Sequence, residues 1–591
     1  MPTPGPYDVT VTRDVRLAMR DGVTLSTDLY LPARNGRALG PASAVLVRTA
    51  YDRGNFANDC TYFASHGYTA VAQDVRGTFG SEGAFFAFVN EADDGVDTLN
   101  WLTTSEHCNG DVGMFGCSYM SWVQMALATQ NPVGLKCLIP FGVGIDTFHH
   151  YAYPNGALQL GMIRWVIFDV WRRAARDNPE LLATIDAIDF IRFAAELPWQ
   201  RGQTVLAQSP QFEDIIFTYL EHRTYDAFWR QPGQAFDLYF EQFPDIPMLW
   251  VSGWWDGYPR SVCEGYRKLS ERGRGERQHL LLGAWVHNQM SGNSAGDVDF
   301  GPDMDIDRLD TQRLFFDRHL RADASVDAGA KVRAFVMGGG SGRRTAEGRL
   351  HHGGRWWHSE QWPPPGMTIT PYYLHEGGSL SRDAPTVHDA MTVYQHDPND
   401  PVPSIAVPWI FANYPDRGPA DQLEPTELIG NCTPGKPLAE RADVRVFQTP
   451  PLESDVRLLG PLQARLYVQS SAPDTDFCVK LVDVYPPSED YPQGYAMIVA
   501  EGIMRMTYRE GGEQLVPMQA GAVYEIVIDC FPAANLFAAG HRIRIDIASS
   551  NFPRHEINRN TADPFSPEKI VATNTVFHDA ARPSHVLLPI A

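Results

Sequence analysis

The chain has 591 residues and a net charge of −22, and its 44% hydrophobic and 20% charged content excludes a disordered or fibrous protein. With six Lys among 49 scattered basic residues, there is no Lys/Arg stripe to release counterions, which excludes nucleic acid and an anionic membrane surface as partners. At about 150 residues per domain the length predicts two to four domains, and 50 Gly with 44 Pro point to a turn-rich α/β or all-β architecture.

Residues 1–6 have neither a charged nor an apolar leader region, and no apolar run approaches the ~20 residues of a membrane span. The expectation is a soluble, cytoplasmic protein. Its eight cysteines are irregularly spaced without a CxxC, which predicts reduced thiols and no zinc site. Residues 7–17 and 23–31 flank Asp21-Gly22 and read as an antiparallel hairpin. Buried-type strands follow at 44–47, 69–73, 112–115 and 135–140. Amphipathic helices are predicted between them at 56–65, 91–103 and 119–129. The alternation predicts a parallel sheet covered on both faces.

From 145 to 242 the strand pattern gives way to helical periodicity rich in aromatics, including Trp165, Trp171, Phe212, Phe217 and Trp229. This reads as a helical cap inserted into the α/β domain. Strands resume at 248–251 and 279–282, followed by a helix over 305–320 and a strand over 332–337. Residues 351–367 read as a linker, and beyond it short strands without helical period predict a β-sandwich or jelly roll. The expected division is an α/β-hydrolase domain over 1–144 plus 243–355, a cap over 145–242 and a C-terminal β jelly-roll domain over 356–591.

Gly116-Cys117-Ser118-Tyr119 follows an apolar strand and opens a helix, the setting of a nucleophile elbow, although Met120 stands where the generic motif has its second Gly. By itself the segment reads equally as a helix N-cap. Asp256 lies just past one later strand and His287 just past the next, so the three residues have the Ser–acid–His order of this fold. A lone Asp there is more often a cap and a lone His structural; three hits in order are what point to a triad.

These segments resemble the cocaine esterase and X-Pro dipeptidyl-peptidase family of serine hydrolases. The likeness extends over Thr49-Ala50-Tyr51-Asp52-Arg53, Asp74-Val75-Arg76-Gly77, Asp93-Asp94-Gly95, Gly253-Trp254-Trp255-Asp256-Gly257 and Gly283-Ala284-Trp285-Val286-His287. It continues through Ala472-Pro473-Asp474-Thr475-Asp476-Phe477 and Asn551-Phe552-Pro553-Arg554, nearly end to end. The resemblance implies Ser118 as nucleophile, His287 as general base, Asp256 as its orienting acid, and an oxyanion hole of the Tyr119 amide and the Tyr51 hydroxyl. The chemistry is an acyl-enzyme resolved by water, with no cofactor and no metal. Ser121 departs from the family's Gly, and Ala50 and Ala284 from its Pro.

Tyr258 and Trp285 are the expected substrate-lining residues, from a wider aromatic set of Trp122, Trp254 and Trp255. Asp74 and Arg76 read as a structural ion pair. Residues 303–307 mimic a calcium loop, but Arg308 and Leu314 occupy the positions of its Gly and Glu, and His149-His150 and His351-His352 lack further ligands. The leading function is hydrolysis of a small-molecule carboxylic ester. An amide-cleaving member, an α-amino acid ester hydrolase, an acyltransferase, or a binding protein that keeps a hydrolase relic remain the alternatives, and a homodimer is compatible with the sequence.

Overall fold

A computed structural model describes residues 5–405, 418–426 and 428–591. Asp8–Ala18 and Thr24–Arg34 form the expected antiparallel hairpin, and Thr24–Arg34 joins Thr69–Asp74 antiparallel at the margin of the main sheet. From Thr69–Asp74 the sheet is parallel, running through Ala42–Thr49, Cys108–Cys117, Leu135–Phe141, Met248–Trp255, Gln278–Val286 and Val332–Met337. Thr69–Asp74 and Met248–Trp255 are buried at every position, as strands covered on both faces must be. The helices Ala57–Ser65, Glu91–Thr104 and Tyr119–Ala128 lie where the periodicity places them. Pro259–Leu269 is a further helix; Pro259 opens it and Val262, Tyr266 and Leu269 form its buried stripe.

Register decides which strand ends become neighbours. Cys117 lies beside Phe141, Phe141 beside Val251, and Gly253 beside Gly283. The residues that follow these strands therefore share one edge of the sheet.

Residues 145–242 hold short helices, among them Gly161–Trp165, Pro179–Asp186, Phe190–Ala195 and Pro210–Glu221, with π-helical turns at Phe148–Ala152 and Val166–Trp171. An isolated bridge between Asp146 and Ala235 closes its base. Tyr153, Trp171, Tyr219 and Trp229 are fully buried inside it.

Two expectations are corrected. Gly354–Ser359, read as linker, is a strand that extends the main sheet antiparallel to Val332–Met337. Its Trp356 and Trp357 pack on the core, and such aromatic pairs favour a strand over a loop. The helix expected over 305–320 is Arg308–His319, because the Asp307 side chain accepts the Asp310 N–H at 2.9 Å and fixes its start.

The C-terminal region is built of antiparallel ladders. Asp476–Tyr485 pairs with Tyr495–Arg505 and Arg542–Ala548, while Gln463–Ser470 pairs with Tyr524–Asp529, Ala572–Phe577 and His585–Ile590. A parallel bridge from Met337 to Asn535 joins this region to the main sheet. His352, buried at that junction, bonds Asn535 Oδ1 at 2.9 Å, which gives it a structural role. Among the described residues no helix is long and apolar enough to cross a membrane.

Candidate active site

Ser118 sits between the Cys108–Cys117 strand and the Tyr119–Ala128 helix with φ 62° and ψ −127°. A non-glycine residue held there costs about 1–3 kcal/mol, which surrounding packing must offset. The turn is possible because Gly116 has φ 138° and lacks a Cβ, which would lie 2.4 Å from the Met120 Cβ. Ser121, where the resemblance implies Gly, helps fix the turn. Its hydroxyl accepts the Phe141 N–H at 2.8 Å and lies 2.8 Å from the carbonyls of Gly116 and Phe141.

Asp256 and His287 are buried, and His287 Nδ1 is 2.7 Å from Asp256 Oδ1. Asp256 also accepts the Gly257 N–H at 2.6 Å and the Ser252 hydroxyl at 3.1 Å, so both carboxylate oxygens are engaged. A carboxylate on Nδ1 sets the proton there and leaves Nε2 as the basic nitrogen. Gly142 ties this pair to the elbow. Its φ is 61°, and a Cβ on it would lie 2.7 Å from Asp256 Oδ2 and 3.2 Å from His287 Nδ1. The carbonyl of the preceding residue, Phe141, accepts the Ser118 N–H at 2.9 Å.

The Tyr119 amide is the first of its helix and has no acceptor in the turn before it. Its phenol donates to Glu91 Oε1 at 2.6 Å, and Glu91 Oε2 pairs with the buried Arg48 at 2.9 Å. Burial pushes the Glu91 carboxyl up, against the pull of Arg48 and the Tyr119 hydrogen bond. The Tyr51 hydroxyl accepts the Trp165 Nε1–H at 2.7 Å; burial raises its pKa, against the pull of Trp165 and the neighbouring Ser118, and keeps the phenol protonated. Tyr51 and Tyr119 rings meet edge to face at 6.4 Å.

An aromatic wall surrounds these groups. The Phe88 ring stacks on Tyr119 at 5.1 Å, on Trp122 at 5.3 Å and on Trp165 at 5.8 Å. Tyr258 lies 5.6 Å from the His287 ring and 5.2 Å from Trp122. Trp285 is a correction: it is fully buried and packs on Trp356 at 5.8 Å, in the core by the added edge strand. Trp254 likewise donates to the Phe335 carbonyl at 2.7 Å, away from the wall. Asp74 does not pair with Arg76. It pairs with Arg53, whose backbone N–H it also accepts at 2.7 Å, while Arg76 binds Asp94 and Asp21, each at 2.7 Å. The turn after Asp74 carries Arg76 to the acidic start of the Glu91–Thr104 helix. Sequence reasoning missed the Trp165–Tyr51 bond and the Arg48–Glu91–Tyr119 chain. Aromatic enrichment was the only signal for Trp165, and neither Arg48 nor Glu91 carried one.

Residues 21–289 match the model of the X-Pro dipeptidyl-peptidase S15 family, and residues 324–587 match the X-Pro dipeptidyl-peptidase C-terminal non-catalytic domain. The chain is 34% identical to the cocaine esterase of Rhodococcus sp. (strain MB1 Bresler), over 98% of each chain. Among solved structures it is similar to an α-amino acid ester hydrolase (26% identity, TM-score 0.78, 100% of this chain and 98% of that one). An aminopeptidase from the marine sediment archaeon Thaumarchaeota archaeon gives 25% identity and the same TM-score and coverage. The chain belongs to the cocaine esterase and X-Pro dipeptidyl-peptidase family of α/β-hydrolase serine hydrolases, with a C-terminal non-catalytic domain.

Proposed function

We propose that the protein is a carboxylesterase acting through an acyl-enzyme on Ser118. The observation that carries this reading is the buried Asp256–His287 pair at 2.7 Å, joined through Gly142 to the strained turn that presents Ser118. His287 Nε2 takes the Ser118 proton as Oγ attacks the ester carbonyl, and Asp256 stabilises the imidazolium that forms. The Tyr119 N–H and the Tyr51 O–H receive the developing oxyanion, each such donor contributing about 10²–10³ in rate. His287 then returns the proton to the leaving alcohol, and water repeats the sequence on the acyl-enzyme.

Local charge favours an ester without a free α-amine. Asp169, the carboxylate that acts electrostatically on Tyr51, is held by Arg164 at 2.9 Å and lies 4.0 Å from Arg173. These cations leave it poorly suited to an ammonium group. Tyr258, Trp122 and Phe88 are the proposed substrate wall. The antiparallel ladders support a jelly-roll reading of the C-terminal domain, with its boundary moved past Ser359. The eight free cysteines support a cytoplasmic setting.

A fluorophosphonate probe tests the assignment. It should label the wild type and leave Ser118→Ala unlabelled, with p-nitrophenyl ester turnover down about 10⁶-fold. Equal labelling of both proteins defeats it. A matched panel of acyl and aminoacyl esters and amides tests the substrate class, and strict dependence on an α-amine would overturn the ester reading.

A further inference from the structure

We propose that Trp165 is a positioning residue of the hydrolytic reaction, its indole N–H holding the Tyr51 hydroxyl so that the phenolic proton points at the oxygen that develops negative charge. The proposal rests on the reading of Tyr51 as an oxyanion donor.

The hydrogen-bond inventory sets the direction. An indole N–H only donates, so at 2.7 Å the Tyr51 oxygen must be the acceptor. The Tyr51 proton therefore cannot be spent on Trp165. Ser118, whose Oγ is bonded to the tetrahedral intermediate, is a neighbour that acts on the same hydroxyl. A chain of N–H to O–H to oxyanion polarises each member, strengthening each bond by about 10–30%. The same indole–phenol bond selects between the two in-plane orientations open to the phenolic O–H.

Trp165 is itself held rigidly. Its ring lies within 10° of parallel to Phe88 and stacks on Tyr119 at 5.9 Å. It ends the Gly161–Trp165 helix, directly before the π-helical turn Val166–Trp171, and π turns recur at functional sites. On the far side of that turn, the Arg173 guanidinium sits 5.5 Å from the Tyr51 ring centroid. One stretch of the insertion thus grips the hydroxyl and the ring of the same tyrosine. The oxyanion hole is assembled from the Tyr119 amide of the sheet domain and a Tyr51 phenol aimed by the insertion.

A double-mutant cycle on p-nitrophenyl butyrate hydrolysis tests this. Tyr51→Phe should lower kcat by about 10²-fold. Trp165→Phe keeps the stacked ring and removes the N–H, and should lower kcat by about 3- to 10-fold with KM within about twofold. In the Tyr51→Phe background the Trp165→Phe change should add nothing. An unchanged kcat in Trp165→Phe, or the same loss in both backgrounds, overturns the proposal and leaves the indole as a wall of the pocket. An unchanged kcat in Tyr51→Phe overturns the oxyanion reading itself, a different result from either. Thermal melts check folding, and Trp165→Leu carries the same cycle if the Phe variant does not fold.

Discussion

Two regions meet at Ser118 and are held by different means. At the strand ends, Ser118, Asp256 and His287 are placed by backbone: adjacent parallel strands in fixed register, a strained elbow, and glycines where any Cβ would collide. The insertion over 145–242 adds side-chain anchors to its backbone bonds, which include a bridge between Gln159 and His555 and the Leu160 N–H on the Arg554 carbonyl at 3.0 Å. Its short helices touch the sheet domain through Trp165 on Tyr51 and through Gln211, whose amide donates to the Phe85 carbonyl at 2.9 Å. They are anchored to the C-terminal domain by the buried Arg223–Glu556 pair at 2.8 Å and by the Tyr508 hydroxyl on the Arg223 carbonyl at 2.7 Å. Backbone register tolerates little displacement, so it suits the reacting atoms. Side-chain packing can be re-cut without breaking a sheet, so it suits the walls that choose a substrate.

Disturbing an anchor of the insertion should therefore lower stability more than chemistry, and disturbing a strand end should do the reverse. The largest effect is expected at Glu556, which is buried between Arg223 and Arg505. Glu556→Gln leaves two buried guanidinium groups without that charge and should lower the unfolding free energy by about 3–5 kcal/mol. Urea titration reads the loss, and kcat of the surviving folded enzyme should stay within about threefold. A collapse of kcat at unchanged stability would erase the contrast. Next, Gly142→Ala should push Asp256 and His287 off their line and lower kcat about 10²-fold. Its melting temperature should fall far less than that of Glu556→Gln; the opposite ranking would mean that the strand ends are not where precision is needed.

The smallest expected effect concerns pH. Asp474 is buried, accepts the Thr507 N–H at 2.9 Å and the Asn558 side-chain N–H at 3.0 Å, and is raised to about 7 by burial against the pull of Arg505. The folded protein thus keeps this proton to about pH 7, whereas the unfolded chain releases it near 3.9. The stabilisation is complete below about pH 4 and declines as pH rises toward 7. Glu556 has the opposite sign, since its partners lower its pKa and its contribution disappears only as pH falls below the ordinary carboxylate range. Between pH 5 and 7 the Asp474 slope should dominate. Asp474→Asn should flatten it, a change of about 2 kcal/mol over that interval by denaturation at each pH. A slope unchanged by the substitution would assign it to other groups.

Legibility in the sequence follows the same divide. Ser118, Asp256 and His287 could be found because each stands just past an apolar run that declares a strand, and chain order does the rest. Tyr258 carries the same local signal, two residues beyond Asp256, and its ring lies beside that of His287. Trp285 shared that local signal and proved to be core, because alternation along a strand alone does not say which face meets the ligand. The pairing of Asp74 with Arg53, and of Arg76 with Asp94, was hidden because a charged residue's partner is chosen by chain reversals its neighbours do not encode.

The sequence by itself determined the strand–helix alternation, the helical insertion, the β-rich C-terminal region and the placing of Ser118, Asp256 and His287 just past strands, since hydrophobic period and turn residues act over a few positions. Tertiary structure alone decided that the indole of Trp165 meets the hydroxyl of Tyr51, that Glu91 and Arg48 stand behind Tyr119, and that Glu556 ties the insertion to the C-terminal domain. Trp165 and Tyr51 are 114 residues apart and Arg223 and Glu556 are 333 apart. Over such separations, packing brings donor and acceptor together, and no local pattern records the match.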